Sequence, residues 1–213
     1  MEMLEKCNIV IKNKELLDTA LSHSSYAYEK GGESYERLEY LGDAVLEIVC
    51  SEYLYKNTNY SEGRMSELRK YYVCENALYE YSSEFNLASY IKHGNGIKEP
   101  NKSIIADVFE AIIAVVYLEC GLDKVKDLFN TIIVPHIKSK EDYLMDYKTL
   151  LQEDVQTVKK SIEYKKISET GPAHDREFTV EVIIDGLVYG VGVGKTKKEA
   201  EQNAAKEALS KKA

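Results

Sequence analysis

Two pairs of acidic residues stand out by their spacing. Glu39 and Asp43 are four residues apart in Glu36-Arg37-Leu38-Glu39-Tyr40-Leu41-Gly42-Asp43-Ala44-Val45-Leu46, and Asp107 and Glu110 are three apart in Ile104-Ile105-Ala106-Asp107-Val108-Phe109-Glu110-Ala111-Ile112-Ile113. On a helix either spacing puts the pair on one face. The flanking residues are mostly apolar, so both segments read as core helices, where a carboxylate is costly unless a cation compensates it. For four oxygen donors from two packed helices the simplest compensator is a divalent metal, magnesium first. Two blander arrangements stay open on spacing alone: a solvated stripe of Glu36, Glu39, Asp43 and Glu47, and a structural ion-pair network. A di-iron carboxylate bundle would want Glu-x-x-His pairs. Here the third residue on is Glu39 after Glu36 and Glu110 after Asp107.

The elements that must position these acids follow from periodicity. From residue 4 to about 134 the pattern is helical. It predicts a short helix over Val10–Leu21, then Ser22-His23-Ser24-Ser25-Tyr26 and a loop through Gly31-Gly32. A long helix is expected over about Tyr35–Tyr55, another over about Glu62–Leu78, and shorter ones within Tyr79–Ile91. Asn101-Lys102-Ser103 leads into an apolar helix ending near Cys120-Gly121, and Asp123–Ile133 reads as a last helix stopped near Pro135. Gly42 costs about 1 kcal/mol against Ala in mid-helix; a close backbone approach, from another helix or a second subunit, would account for it. His23 is open between a contact to a ligand or neighbour and a hydrogen-bonded role at a helix end.

The chain has 213 residues and a net charge of −8, unevenly spread. Residues 1–142 hold 16 Lys+Arg against 24 Asp+Glu, and residues 143–213 hold 12 of each. The acid excess is confined to the part with the four carboxylates. The longest apolar run, Ala111–Leu118, is too short to cross a bilayer, and the N-terminus has no basic segment followed by an apolar one. Cys7, Cys50, Cys74 and Cys120 form no close pair that could start a zinc site, and a reducing, cytoplasmic compartment is expected.

Residues 138–144 are charged and without clear period, and a linker is expected there. Beyond it the period changes. Tyr147–Val158 is helical, with Leu150, Leu151, Val155 and Val158 on one face. Ile162–Thr170 is strand-like; Phe178, Val180, Val182 and Ile184 alternate with their neighbours; Asp185-Gly186 signals a type I′ hairpin; Leu187, Tyr189, Val191 and Val193 alternate with Val188, Gly190, Gly192 and Gly194; and Lys197–Ser210 closes as a helix. The order is α-β-β-β-α. Thr196 and Glu199 fit a capping box, so Lys195, Lys197 and Lys198 crowd a helix N-terminus, where cations oppose the helix dipole. Either they are an ordinary solvated run or a phosphate backbone offsets the penalty. Gly192-Val193-Gly194-Lys195-Thr196 is not a nucleotide-binding P-loop, because position 189 is Tyr where that motif needs Gly.

Three segments, Asp146-Tyr147-Lys148-Thr149-Leu150-Leu151-Gln152-Glu153, Gly171-Pro172-Ala173-His174-Asp175-Arg176-Glu177-Phe178, and Gly192 through Ala205, resemble those of a double-stranded RNA-binding domain. Such domains contact two minor grooves and the phosphates between them. The resemblance implies that Thr149, Gln152 and Glu153 line the first minor-groove contact, that His174 reaches the second, and that Lys195, Lys197 and Lys198 take phosphates. Lys166 and Glu169 stand where the family often has apolar residues.

The segments Glu36–Leu46, Ala106–Ala111 and Leu21-Ser22-His23-Ser24-Ser25 resemble those of the bacterial ribonuclease III family. The fold implied is an all-α N-terminal endonuclease domain (1–137), a linker (138–144) and a small α+β (α-β-β-β-α) double-stranded RNA-binding domain (145–213). The resemblance further implies a Mg²⁺-dependent endoribonuclease, with Mn²⁺ able to substitute. Glu39, Asp43, Asp107 and Glu110 would hold the metal, Asp43 and Glu110 would be catalytic, and Glu62 would orient a metal-bound water unless it merely favours a helix dipole. A two-fold homodimer would cut double-stranded RNA, each subunit one strand, leaving 5′-phosphate and 3′-hydroxyl ends with short 3′ overhangs. Precursors of ribosomal and messenger RNA are the expected substrates. The rival reading is an RNA-binding protein with a degenerate nuclease half.

Overall fold

The computed structural model describes residues 1–144, 146–157, 159–172 and 175–211, without the side chains of 140–144. The chain divides into two compact units, Met1–Lys140 and Glu141–Ala213.

The first unit is helical. Its helices are α1 (Glu2–Lys6), α2 (Lys14–Ala20), α3 (Ser24–Lys30), α4 (Glu36–Asn57), α5 (Glu62–Tyr72), α6 (Glu75–Ser83), α7 (Lys102–Cys120) and α8 (Leu122–Leu144), with a 3-10 turn at Leu87–Tyr90 before α7. The most apolar stretch of the chain becomes the axis of the unit: in α7, Ile112, Ile113, Ala114, Val115 and Val116 are all fully buried. Asn101 starts this helix by accepting the Ile104 N–H at 2.9 Å, and Gly121, at φ +83°, follows its end. Helices α2, α4 and α6 pack around α7.

Several boundaries differ from the sequence pattern. The helix expected over Val10–Leu21 begins only at Lys14, because Asn13 caps it through the Leu16 N–H at 3.0 Å. The segment after Leu21 is itself a helix, α3, capped by His23. The single helix expected over Glu62–Leu78 is two. Cys74 is extended (φ −78°, ψ 159°), and the Tyr81 hydroxyl donates to Tyr72 O at 3.1 Å, satisfying a carbonyl that the break releases. The last helix does not stop at Pro135 but runs on to Leu144. An interior proline forfeits a hydrogen bond and costs about 3 kcal/mol. Ile132, Ile133 and Val134 before it and Ile137 after it are buried, so both turns are held by packing. The stretch 138–144, expected as an irregular linker, is therefore helical.

The second unit comprises α9 (Tyr147–Thr157), β1 (Ile162–Thr170), β2 (Glu177–Ile184), β3 (Leu187–Gly194) and α10 (Lys197–Ser210); Val158, expected to end α9, lies outside the described residues. The strands form one antiparallel sheet in the order β1-β2-β3. Asp185 and Gly186 both have positive φ, 48° and 81°, as a type I′ turn requires. On β3 the glycine face points inward. A Cβ on Gly192 would lie 2.1 Å from Ala204 N and 2.2 Å from Ala200 O, so α10 sits directly on the strand through buried Ala200, Ala204, Ala205 and Ala208. Leu151, Val155, Val182 and Ile184 complete this core. In β1 a bulge falls between Lys166 and Ser168. The unexpectedly polar Lys166 and Glu169 pair with each other at 2.8 Å, and Arg176 joins Glu169 at 2.7 Å.

Candidate metal centre and nucleic-acid interface

The acidic site is built where α4 crosses α7. A Cβ on Gly42 would stand 1.8 Å from the Glu110 carbonyl oxygen and 2.5 Å from its carbon. The mid-helix glycine is thus explained by a close approach of α7. That approach sets Glu39 and Asp43, which flank Gly42, against the turn of α7 that carries Asp107 and Glu110. Glu39, Asp107 and Glu110 are half-buried and Asp43 is exposed.

The electrostatics are those of uncompensated like charges. Burial pushes the Glu110 carboxyl up to about 8, and Asp43, Glu39 and Asp107 add to the rise. Glu39 is raised by burial, then by Asp107, Glu36 and Asp43. Asp107 is raised by burial and by Glu75, against the hydrogen bond it accepts from the Tyr35 hydroxyl at 3.2 Å and the influence of His23. Among the described residues none of the four acids forms an ion pair. An ion-pair network, one of the two blander readings, is therefore not what this site is.

Their oxygens are not gathered. Among the described residues no three His, Cys, Asp or Glu side chains stand close enough together to hold an ion. Two carboxylates brought to ~4 Å repel by about 4 kcal/mol at an effective dielectric constant of ~20, a cost that would hold four charged ones apart where no cation compensates them. An all-carboxylate donor set suits a hard divalent ion such as Mg²⁺ or Mn²⁺.

Glu62 has surroundings of its own. It opens α5 beside its Ser61 cap and accepts from Ser66 Oγ at 2.9 Å. It lines a cleft of about 420 Å³ with Ser51, Tyr55, Met65 and Arg69, a cleft that none of the four acids borders.

In the second unit Thr149, Gln152 and Glu153 share an exposed face of α9. The Thr149 hydroxyl donates to Asp146 Oδ2 at 2.8 Å. At the start of α10 the capping box forms with a shift: Thr196 Oγ1 accepts the Glu199 N–H at 3.1 Å, and Glu199 reaches back to the Lys195 N–H at 2.7 Å. Lys195, Lys197 and Lys198 are all exposed. Lys195 pairs with Asp175 at 2.7 Å and Lys197 with Glu201 at 3.8 Å; among the described residues Lys198 has no ion pair. His174, expected at the second minor groove, lies outside the described residues, as does Ala173.

Comparison with known proteins decides the family. A sequence profile described as ribonuclease-III-like matches residues 13–137, and one described as a double-stranded RNA binding motif matches residues 147–212. The chain belongs to the ribonuclease III family. A protein named ribonuclease 3 from Onion yellows phytoplasma is 43% identical over 98% of this chain and 90% of its own length. One from Clostridium kluyveri is 45% identical over 99% and 90%. Among solved structures, the ribonuclease III nuclease domain of Campylobacter jejuni, described with a region involved in dimer formation, matches at a TM-score of 0.57 and 34% identity. That match covers 62% of this chain and 94% of the other.

Within this ribonuclease III fold, sequence reasoning missed Tyr35 and Glu75. Tyr35 donates a hydrogen bond to Asp107 from the N-cap of α4, and Glu75 acts on it electrostatically from the first turn of α6. Their distance in sequence from residue 107 gave no signal. For Tyr35 the one hint was a tyrosine directly before a helix rich in acids.

Proposed function

We propose that the chain is a divalent-metal-dependent endoribonuclease for double-stranded RNA, with the acids of α4 and α7 as its cutting centre and the second unit as its grip. The observation that carries this is the seat of Gly42 against the Glu110 backbone. It sets the two acid-bearing turns of α4 and α7 against each other, and among the described residues no cationic side chain pairs with any of the four acids. Glu39, Asp43, Asp107 and Glu110 would hold Mg²⁺, which when bound activates water and stabilises charge on the phosphate and the departing oxygen. Asp43, the exposed member, would hold the ion on the solvent side. Glu110, which burial and its neighbours push up to about 8, would release its proton on holding the ion. Hydrolysis leaves 5′-phosphate and 3′-hydroxyl ends.

The working assembly is a homodimer in which each subunit cuts one strand, giving short 3′ overhangs. Support comes from a second, outward apolar stripe on α4: Tyr40 is 83% exposed, Ile48 58% and Tyr55 75%. These residues recur at helical spacing and stay exposed, Tyr55 at the rim of the cleft with α5, and two-fold pairing is the commonest form of oligomer that could bury such a patch.

We assign residues 1–137 to the nuclease and 145–213 to the RNA-binding domain, with 138–144 between them. Thr149, Gln152 and Glu153 would meet one minor groove, His174 the next, and Lys195, Lys197 and Lys198 the phosphates. Among the described residues no helix is long and apolar enough to cross a membrane, and the four cysteines are free; we place the enzyme in the cytoplasm, acting on ribosomal and messenger RNA precursors.

The direct test is incubation of the purified chain with a long perfect duplex, with Mg²⁺ and with EDTA, reading the product ends. Cleavage to short duplexes with 5′-phosphates only when metal is present is the expected result. An intact duplex with retained binding would favour the RNA-binding rival, and metal-independent cutting would remove the four acids from the mechanism.

A further inference from the structure

Asp107 differs from Glu39, Asp43 and Glu110 in having a fixed hydrogen-bond partner. The Tyr35 hydroxyl donates to its Oδ2 at 3.2 Å. Tyr35 is 4% exposed and sits at the N-cap of α4 without capping it through its side chain. Its backbone N–H donates to Ser22 O at 3.0 Å. Its ring lies against that of His23, with centroids 5.8 Å apart and planes tilted by 58°.

His23 is pinned in turn. Its Nδ1 accepts the Ser25 backbone N–H at 3.1 Å and stands 2.8 Å from Ser25 Oγ, which accepts the Gly94 N–H at 2.9 Å. A backbone N–H can only donate, so Nδ1 carries a lone pair and the ring proton of the neutral imidazole belongs on Nε2. A train of contacts therefore runs from the Gly94 turn through Ser25, His23 and Tyr35 to one oxygen of Asp107. All of its members are held by backbone bonds or burial.

We propose that Tyr35 is a positioning residue that aims Asp107 at the ion shared with Glu39, Asp43 and Glu110. The inference rests on the metal reading above and adds a residue to it. An aspartate has two side-chain torsions free to turn. With Oδ2 engaged by Tyr35, those torsions are fixed and Oδ1 is left for the ion. Outer partners of this kind orient the ligands of metal sites, and losing one typically costs about 10–100-fold in metal affinity. A merely structural tyrosine would use Asp107 only to satisfy its own buried hydroxyl. The two roles separate on Tyr35→Phe, which keeps the ring and removes the donor.

The experiment is a Mn²⁺ titration of the full chain without RNA, read by the electron paramagnetic resonance of free Mn²⁺. It compares the parent protein, Tyr35→Phe and Asp107→Asn, with thermal unfolding of each in EDTA. The expected result is binding about tenfold weaker in Tyr35→Phe, with an unfolding temperature in EDTA close to that of the parent. The Mg²⁺ concentration for half-maximal cleavage should rise by the same factor. Parental Mn²⁺ affinity in Tyr35→Phe, with Asp107→Asn weakened, would overturn the positioning role and leave the metal site standing. A lowered unfolding temperature with unchanged affinity of the folded protein would also overturn it, in favour of a structural role. No uptake by the parent chain would overturn the metal reading and this inference with it.

Discussion

In the proposed enzyme the acids of the first unit and the lysines of the second would address the same polyanion by opposite means. Around Gly42 the charges are of one sign, three of the four acids are half-buried, none forms an ion pair among the described residues, and burial with mutual repulsion pushes Glu110 up to about 8. At the start of α10 the charges are exposed and two of the three lysines already have partners, Asp175 and Glu201. On the proposed reading the first site would be completed by a cation. The second is electrostatically at rest, and a phosphate there only displaces exposed ion pairs worth about 0–1 kcal/mol. A net charge of −8 is compatible with binding RNA because the acid excess and the grip belong to different units.

The largest effect expected from breaking this contrast is on cleavage. Glu110→Gln removes a donor at the heart of the site. Loss of several kcal/mol of metal-borne stabilisation corresponds to about a thousandfold or greater fall in rate. Duplex binding in Ca²⁺, measured by gel shift, should stay within a few-fold of the parent. Equal loss of cutting and binding would merge the two sites into one.

Next in size is Gly42→Ala. A Cβ there would overlap the Glu110 carbonyl at 1.8 Å, so α4 and α7 must part. Overpacking of this kind costs about 1–3 kcal/mol, occasionally more, and denaturant unfolding should register it together with weakened metal binding. An unchanged midpoint would deny the close approach.

Replacing Lys195, Lys197 and Lys198 together by Gln should weaken duplex binding and flatten its salt dependence. Three lost phosphate contacts would reduce the slope of log K against log salt by about 2–3. Lys198, which among the described residues has no ion pair to give up, should account for the largest single share. A slope equal to the parent's would remove these residues from the phosphate contacts.

The smallest effect is on stability against pH in the metal-free protein. Glu110 is raised from 4.5 to about 8 in the folded state, so between those values the folded chain holds a proton that the unfolded chain has lost. Stability then falls as pH rises through this window. Glu110→Gln should flatten that decline, gaining ~1–2 kcal/mol at pH 8 after allowance for solvent screening and nothing near pH 4. Metal should restore the parent at pH 8 and release a proton on binding. A pH-independent difference between the two would place Glu110 outside the cluster.

Much of this was legible in the chain. The apolar run around Asp107 and Glu110 did become the buried axis of the first unit, and β1 and α10 keep the ends that alternation and the Thr196 cap suggested. Those signals are local: periodicity, a capping box, an Asp-Gly turn. What escaped was set by tertiary packing. Pro135 is carried inside α8 because buried residues flank it, and the break at Cys74 is secured by a hydroxyl from Tyr81. The valines of β3 face outward, Val191 and Val193 being 44% and 45% exposed, because only glycines let α10 lie so close. The four acids could be named from two motifs, whereas Tyr35 and Glu75 reach Asp107 through space alone.

The most direct test is a crystal of the protein grown with Mn²⁺, with the ion located by its anomalous scattering. The account predicts a peak at about 2.1 Å from carboxylate oxygens of both α4 and α7, Glu39 or Asp43 on one side and Asp107 and Glu110 on the other. A peak coordinated by one helix only, or none at the Gly42 crossing at saturating Mn²⁺, would contradict it.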